Sequence, residues 1–358
     1  MSRKPLNRGL WAALAAVLAL APTWASAGIS QAMKNASSAD VYRPEISAFV
    51  ATQISRLIGD DPDAQKSART TLIDQVSSNP PPGTSFMDVY ADVLDQAMEP
   101  AANSKSIRAR LNLAVVNAEV ASRVDNARQA SVTKILLLDP ASPVAMWGMK
   151  AAKFELLPQL REPTALRRLD LIAAILQSVK NHPDDGLIID DAYRTLTLKD
   201  TDAALHSVGD PVIEELVPGV QSLLASRGAQ YATDPPPSPT ADEGALFLTR
   251  LKVWNLETPA QRAQTMKLML DVVSAASKLL DAADQNTRAD LMDLIRKFGR
   301  GLSILAGFVQ NDALLKSATD VYSISSDIKA DELSQRIDAL SAAVQTVIQT
   351  LGVTPPSP

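Results

Sequence analysis

The chain has no cysteine and only two histidines, and its aromatic content is 4%. Each scarcity removes a class of chemistry. Without thiols there is no disulfide framework, no acylated lipoprotein cysteine and no cysteine-based structural zinc site. His182 and His206 stand 24 residues apart, too far for a local metal-ligand pair. His182 falls in "NHPDDG", which reads as an exposed turn. Few aromatic platforms remain for sugar stacking, and no G-x-S-x-G nucleophile turn occurs. The formal net charge is −5, so there is no basic footprint for nucleic acid. Persistent β-branched alternation, the mark of strands, is also missing.

What is present begins with a leader. Arg3, Lys4 and Arg8 precede an apolar run from Leu10 to Ala21, and Ala25-Ser26-Ala27 follows Pro22. Residues 1–27 therefore read as a secretory signal peptide, with the mature chain expected near Gly28 and a periplasmic or secreted location. The run is too short to span a bilayer, so no integral span is expected after cleavage. Losing those three cations deepens the acidity to a net charge of about −8.

The remaining sequence has helical period. In "MKLMLDVVSAASKLL", Met266, Met269, Leu270, Val273, Ala276 and Leu280 share one face. The expected fold class is all-α. "SSNPPPGTS" (77–85) and "ATDPPPSPTADEG" (232–244) punctuate the helices, and the second is the expected domain boundary. That gives a helical repeat domain over 28–233, a C-terminal helical bundle over 240–352 and a flexible tail over 353–358. In the stretch 127–152, a helix ends at Asp139-Pro140. Ser142 is then expected as N-cap, with Pro143 at the first helical position. Gly148 in the next helix predicts close approach of a neighbouring helix. Upstream, "FMDVYADVLDQAMEPAA", "NSKS" and "IRARLNLAVVNAEVASRV" form a similar unit. Ile107 matches Val144 and Ala114 matches Ala151, 37 residues apart. A third unit runs from "TALRRLDLIAAILQSV" through "NHPDD" to "LIIDDAYRTLTL".

These units, with Ile107-Arg108, Leu111 and Ala114 opening a second helix, resemble HEAT-type repeats over about residues 67–200. The resemblance implies a curved scaffold that binds another protein by its surface, and implies no reaction or cofactor. The candidate partner surface is the set of second helices, including Arg108, Arg110, Asn112 and Asn117.

Other features have structural readings. Asp60, Asp61 and Asp63, Asp184 and Asp185, and Asp190 and Asp191 fit helix capping and turns, and no EF-hand loop is met. Gly299, Gly301, Ser303, Ala306 and Gly307 in "KFGRGLSILAG" suit close helix packing, and Arg296, Lys297 and Arg300 a solvated face. Asn35-Ala36-Ser37 matches a glycosylation sequon. The leading expectation is an exported, non-enzymatic α-helical binding scaffold. A structural envelope component, or an exported hydrolase using the carboxylates, are the alternatives.

Overall fold

A computed structural model describes residues 28–77, 84–124, 128–161, 167–198, 209–232 and 238–352. The signal-like residues 1–27, His206 and the tail 353–358 lie outside these. Among the described residues every regular element is helical, so the all-α reading holds. None of these helices is long and apolar enough to cross a membrane.

The chain divides into two compact units, residues 1–132 and 133–358. This differs from the division expected at 233–240. The apolar core of the second unit runs from Leu137 to Ile348 and takes in residues on both sides of the proline-rich stretch. The prolines there punctuate the chain without separating two cores.

In the first unit, α1 (Arg43–Leu57), α2 (Pro62–Ser77), α3 (Ser85–Ala101) and α4 (Ile107–Ala121) follow a single turn at Gln31–Lys34 and a 3₁₀ turn at Ala39–Tyr42. Short polar turns join the helices of each pair, and their side chains close the free N–H groups. Thr84 and Ser106 cap α3 and α4, and Asp61 Oδ1 accepts from the Asp63 amide before α2. Contacts between the pairs keep step along the chain. Ser85 Oγ accepts from the Ala39 amide at 2.9 Å, and Arg43 pairs with Asp92. Arg69 meets Asn112, and Arg123 reaches Ser77 at 2.6 Å. α1 thus runs parallel to α3, and α2 to α4, with partners 43 to 49 residues apart in the chain.

The division between the units falls inside α5 (Ala130–Leu137). The second unit continues with α6 (Ser142–Arg161), α7 (Arg167–Asn181), α8 (Gly186–Leu196) and α9 (Asp210–Tyr231). A 3₁₀ helix over Pro239–Thr249 follows, then α10 (Leu251–Leu256), α11 (Pro259–Leu279), α12 (Gln285–Phe308), α13 (Asp312–Tyr322) and α14 (Ala330–Thr350). The same parallel stepping recurs here. Ser142 on α6 meets Asp185 at the start of α8, 43 residues on. Gln221 on α9 reaches Thr265 on α11, 44 residues on, and Glu243 of the 3₁₀ helix pairs with Lys297 on α12. In the region expected as a C-terminal bundle, α11 to α14 pack on one another, and α11 also packs on α9.

The joint at 136–148 is the helix–turn–helix expected, with one change. α6 already includes Ser142, and the turn is closed by Asp139, whose Oδ1 accepts from the Ala141 amide at 2.8 Å. Asp139 is nearer the turn's free amide than Ser142, whose hydroxyl donates instead to Asp185. A Cβ on Gly148 would lie 2.8 Å from the Leu137 backbone nitrogen, so α5 and α6 touch where the missing side chain allows. The equivalence of Ile107 with Val144 fails: Ile107 is 55% exposed and Val144 fully buried. The spacing of 37 residues itself recurs between α3 and α5, where Asp95 Oδ1 accepts from the Val132 amide 37 residues on, while the neighbouring helices step by 43 to 49.

Candidate functional site

α4 is the second helix of its pair, and it is packed by α2 and α3 on different sides. The candidate surface of Arg108, Arg110, Asn112 and Asn117 is therefore split by burial. Asn112 is 8% exposed and Asn117 fully buried, so neither belongs to a partner surface. Asn117 Oδ1 accepts from Gln129 Nε2 at 3.1 Å. Arg110 is half-buried and donates to the Ser104 carbonyl, bracing the turn before its own helix. Only Arg108 keeps its guanidinium on the exterior.

Arg108 opens onto a groove of about 320 Å³ between the N-terminal ends of α2 and α4. Pro62, Asp63, Gln65, Lys66, Arg69, Leu111 and Asn112 form its other walls. A chain of amides underlies it. Gln65 Nε2 donates to the Gly59 carbonyl at 2.5 Å, and Asn112 Nδ2 donates to Gln65 Oε1 at 3.4 Å. Asn112 Oδ1 then accepts from Arg69 Nη1 at 3.1 Å. Gln65 and Asn112 are both buried, so this relay fixes the Arg69 fork through one of its nitrogens. Lys66, Arg69 and Gln65 were not singled out by the sequence. Lys66 and Arg69, one helical turn apart with Gln65 beside them, were the available signal.

In the second unit a cavity of about 750 Å³ lies at the turns preceding α6 and α8 and at the start of the 3₁₀ helix. Ser142, His182, Asp184, Asp185, Asp190 and Ser238 line it. His182, expected on an exposed turn, is 9% exposed. The turn folds inward because His182 Nε2 bonds the Asp139 carbonyl at 2.9 Å, tying two successive turns together. Asp185 caps α8 through the Leu187 and Ile188 amides and also takes the Ser142 hydroxyl. Serine and histidine thus serve separate turns. Asp190 pairs with Arg194, and the Asp191 carboxyl is pushed upward, by burial first and then by Asp190. No group of three or more potential ligands able to hold a metal occurs among the described residues.

Two buried polar clusters lie deeper in this unit, and neither was anticipated. Arg227 on α9 donates from Nε to both oxygens of Asp242 at 3.0 and 3.1 Å, and Tyr231 donates to Asp242 at 2.7 Å. All three are 1% exposed or less. Burial opposes the charge on Arg227, and Asp242 outweighs it, so that cation is held above its ordinary range. Tyr193 is buried beside the same carboxylate, and burial first, then Asp242, pushes its hydroxyl well upward.

The second cluster centres on Glu257, 4% exposed between α10 and α11. Its Oε1 accepts from Thr265 Oγ1 at 3.0 Å, and Thr265 in turn accepts from Gln221 at 2.9 Å. Its Oε2 is buried with no hydrogen-bond partner. Burial pushes this carboxyl up to about 7, against the opposing pull of Thr265 and Arg262. A folded pKa raised above the unfolded value means the folded protein holds the proton more tightly. The stabilisation is therefore complete below about 4.5 and is lost as pH rises through about 7. Urea unfolding at pH 5 and pH 8 is expected to show a loss of about 2–3 kcal/mol attributable to this group. Glu257→Gln should remove that slope, and an unchanged slope would mean that the carboxyl is hydrated.

The glycines at 299 and 301 pack as expected: added Cβ atoms would lie 2.9 Å from Tyr322 N and from Leu246 Cδ2. Gly307 faces open space instead. Lys297 is not a free surface cation, since Glu243 and Asp293 both pair with it. No family model matches the chain, and no curated protein matches it in sequence. Among solved structures it is similar to the crystal structure of an engineered protein from a structural genomics consortium, at 15% identity. That alignment covers 85% of this chain and 81% of the other with a TM-score of 0.35, a likeness too slight to carry an argument.

Proposed function

We propose that the chain is an exported, non-enzymatic scaffold of HEAT-like helix pairs that recognises another protein through the surface of those pairs. The observation that carries this reading is the parallel stepping of successive pairs, with partners 37 to 49 residues apart in the first unit. That spacing overlaps the ~40–47 residue period of helical-pair arrays. An array of this kind builds its core from neighbour to neighbour and leaves its turns and outer faces free for contact. The titratable groups in the large cavity agree with the reading, because Ser142, His182 and Asp185 are engaged in holding turns. Export rests on the N-terminal residues alone.

Site-specific photo-crosslinking tests it. A crosslinking residue placed at Ile107 or Leu187, which are 55% and 63% exposed at the starts of α4 and α8, would be activated in the native host's envelope fraction. A distinct protein crosslinked at either position is the expected result. Crosslinks only to a second copy would replace the reading with that of a self-assembling structural component, and no crosslink at any exposed turn would sink it.

A further inference from the structure

The groove between α2 and α4 collects positive charge in a chain that is acidic overall. Lys66, Arg69 and Arg108 line it, against the single carboxylate of Asp63. Three other cations of the first unit are paired with carboxylates: Arg43 with Asp40 and Asp92, Arg123 with Glu119, Arg128 with Asp88. In the groove no ion pair forms with Lys66, Arg69 or Arg108 among the described residues, and the only hydrogen bond to any of the three is from Arg69 to neutral Asn112. Three cations lining one groove against a single carboxylate leave it with net positive charge, which an anionic ligand would offset.

The amide relay is the second observation. Gln65 and Asn112 are buried at 3% and 8% exposure and link the Gly59 carbonyl to the Arg69 guanidinium. Buried polar groups are expensive unless joined, and this chain's free end is a cation set into the cavity wall. It aims one fork of donors while leaving others open. The parallel course of α2 and α4 brings both helix N-termini to the same end, where Asp61 already meets the α2 terminus and the α4 terminus adds to the positive potential. A volume of about 320 Å³ lies at the small end of ligand sites.

We propose that this groove binds a phosphate group, held by the guanidinium forks of Arg69 and Arg108 and the ammonium of Lys66. One carboxylate could be satisfied by a single fork; three cations converging from two helices suit a tetrahedral dianion. The shared chemistry covers free phosphate and a phosphomonoester on a small molecule. This site does not depend on the scaffold reading, since a phosphate site could serve a chain with or without a protein partner.

The test is isothermal titration of the full chain at low ionic strength with inorganic phosphate, with glycerol 3-phosphate and with acetate. Saturable binding of either phosphate, with acetate silent at matched ionic strength, is expected. Phosphate alone would indicate the free ion, and glycerol 3-phosphate binding more tightly would indicate an ester. Arg108→Gln and Lys66→Gln each should weaken the interaction at least about tenfold, as loss of a charge-assisted bond requires. Both positions are exposed, so the variants keep the fold, and an unchanged helical circular dichroism spectrum would confirm that. Lys105→Gln, an exposed cation outside the groove, should leave binding intact. The proposal is overturned by no saturable heat with either phosphate, by equal binding of acetate, or by equal loss in the Lys105 variant.

Discussion

Asp242→Asn is expected to destabilise the second unit by about 3–5 kcal/mol, the cost of leaving one member of a buried ion pair without its partner. The geometry explains the size. Arg227 is 1% exposed and Asp242 fully buried, and both carboxylate oxygens are taken by Arg227 Nε, with Tyr231 donating as well. Asparagine keeps the shape, but it replaces a charged acceptor with one oxygen and an NH₂ that faces donors. Arg227 keeps its bond to Gln230 but loses its counter-charge, and it cannot shed its proton. The companion double variant, Arg227→Met with Asp242→Leu, removes both charges together and should recover most of the loss, because the pair's own desolvation is relieved. Denaturant unfolding of the three proteins separates the outcomes. A loss below about 1 kcal/mol in Asp242→Asn would show that water reaches the cluster.

Gly244→Ala is the second large effect, and it acts through shape alone. A Cβ at this position would lie 2.5 Å from Tyr193 Cβ and 2.7 Å from Cγ. Those are the root atoms of a buried ring, and moving them means moving the α8 backbone. Overpacking of this kind costs about 1–3 kcal/mol, and here the upper end is expected, because Tyr193 is 1% exposed and wedged beside Asp242. The double-mutant cycle with Tyr193→Ala isolates the cause. Tyr193→Ala alone opens a cavity and is itself destabilising. In that background the Cγ and Cδ1 contacts at 2.7 and 2.8 Å are gone while the Cβ contact at 2.5 Å remains, so Gly244→Ala should cost distinctly less but not nothing, and thermal melting of the four proteins reads the coupling directly. Equal costs in both backgrounds would mean that the 3₁₀ helix, and not the ring, resents the methyl group.

Much of the helical layout was legible because burial follows period. Met266, Met269, Leu270, Val273, Ala276 and Leu280 are all buried on one side of α11 and just past its end. Turn chemistry was legible as well, since Asp61, Asp139 and Asp185 bond nearby amides at each joint. The partner surface was not. Asn112 and Asn117 look like exposed polar residues in a one-dimensional pattern, yet α4 is covered on more than one side and its polar side chains turn inward to partners more than ten residues away. The cation groove needs α2 and α4 side by side, 43 residues apart, before Lys66 and Arg108 can share a wall. The same holds for Arg227 with Asp242 and for Glu257 with Gln221: each residue has an ordinary local context, and only the stacking of helices makes it unusual.

The 3₁₀ helix at Pro239–Thr249 is long for its kind, and one of its buried edges has a period of three, with Ala241, Phe247 and Thr249 buried beside it. Pro239, Asp242, Ala245 and Leu248 are buried along a single edge, because side chains three apart eclipse in this geometry. It also rises about 2.0 Å per residue where an α-helix rises 1.5 Å, so it spans the length of a longer α-helix with fewer residues. Together these make the segment a ruler graduated in threes. Three residues added or removed change its reach and leave the edge aligned. One residue added between Pro239 and Leu248 rotates all that follows by a third of a turn, and separates the carboxylate that holds Arg227 from the apolar side chains beyond it. Length variation in this stretch is therefore quantised, unlike the gradual drift that the α-helical segments allow.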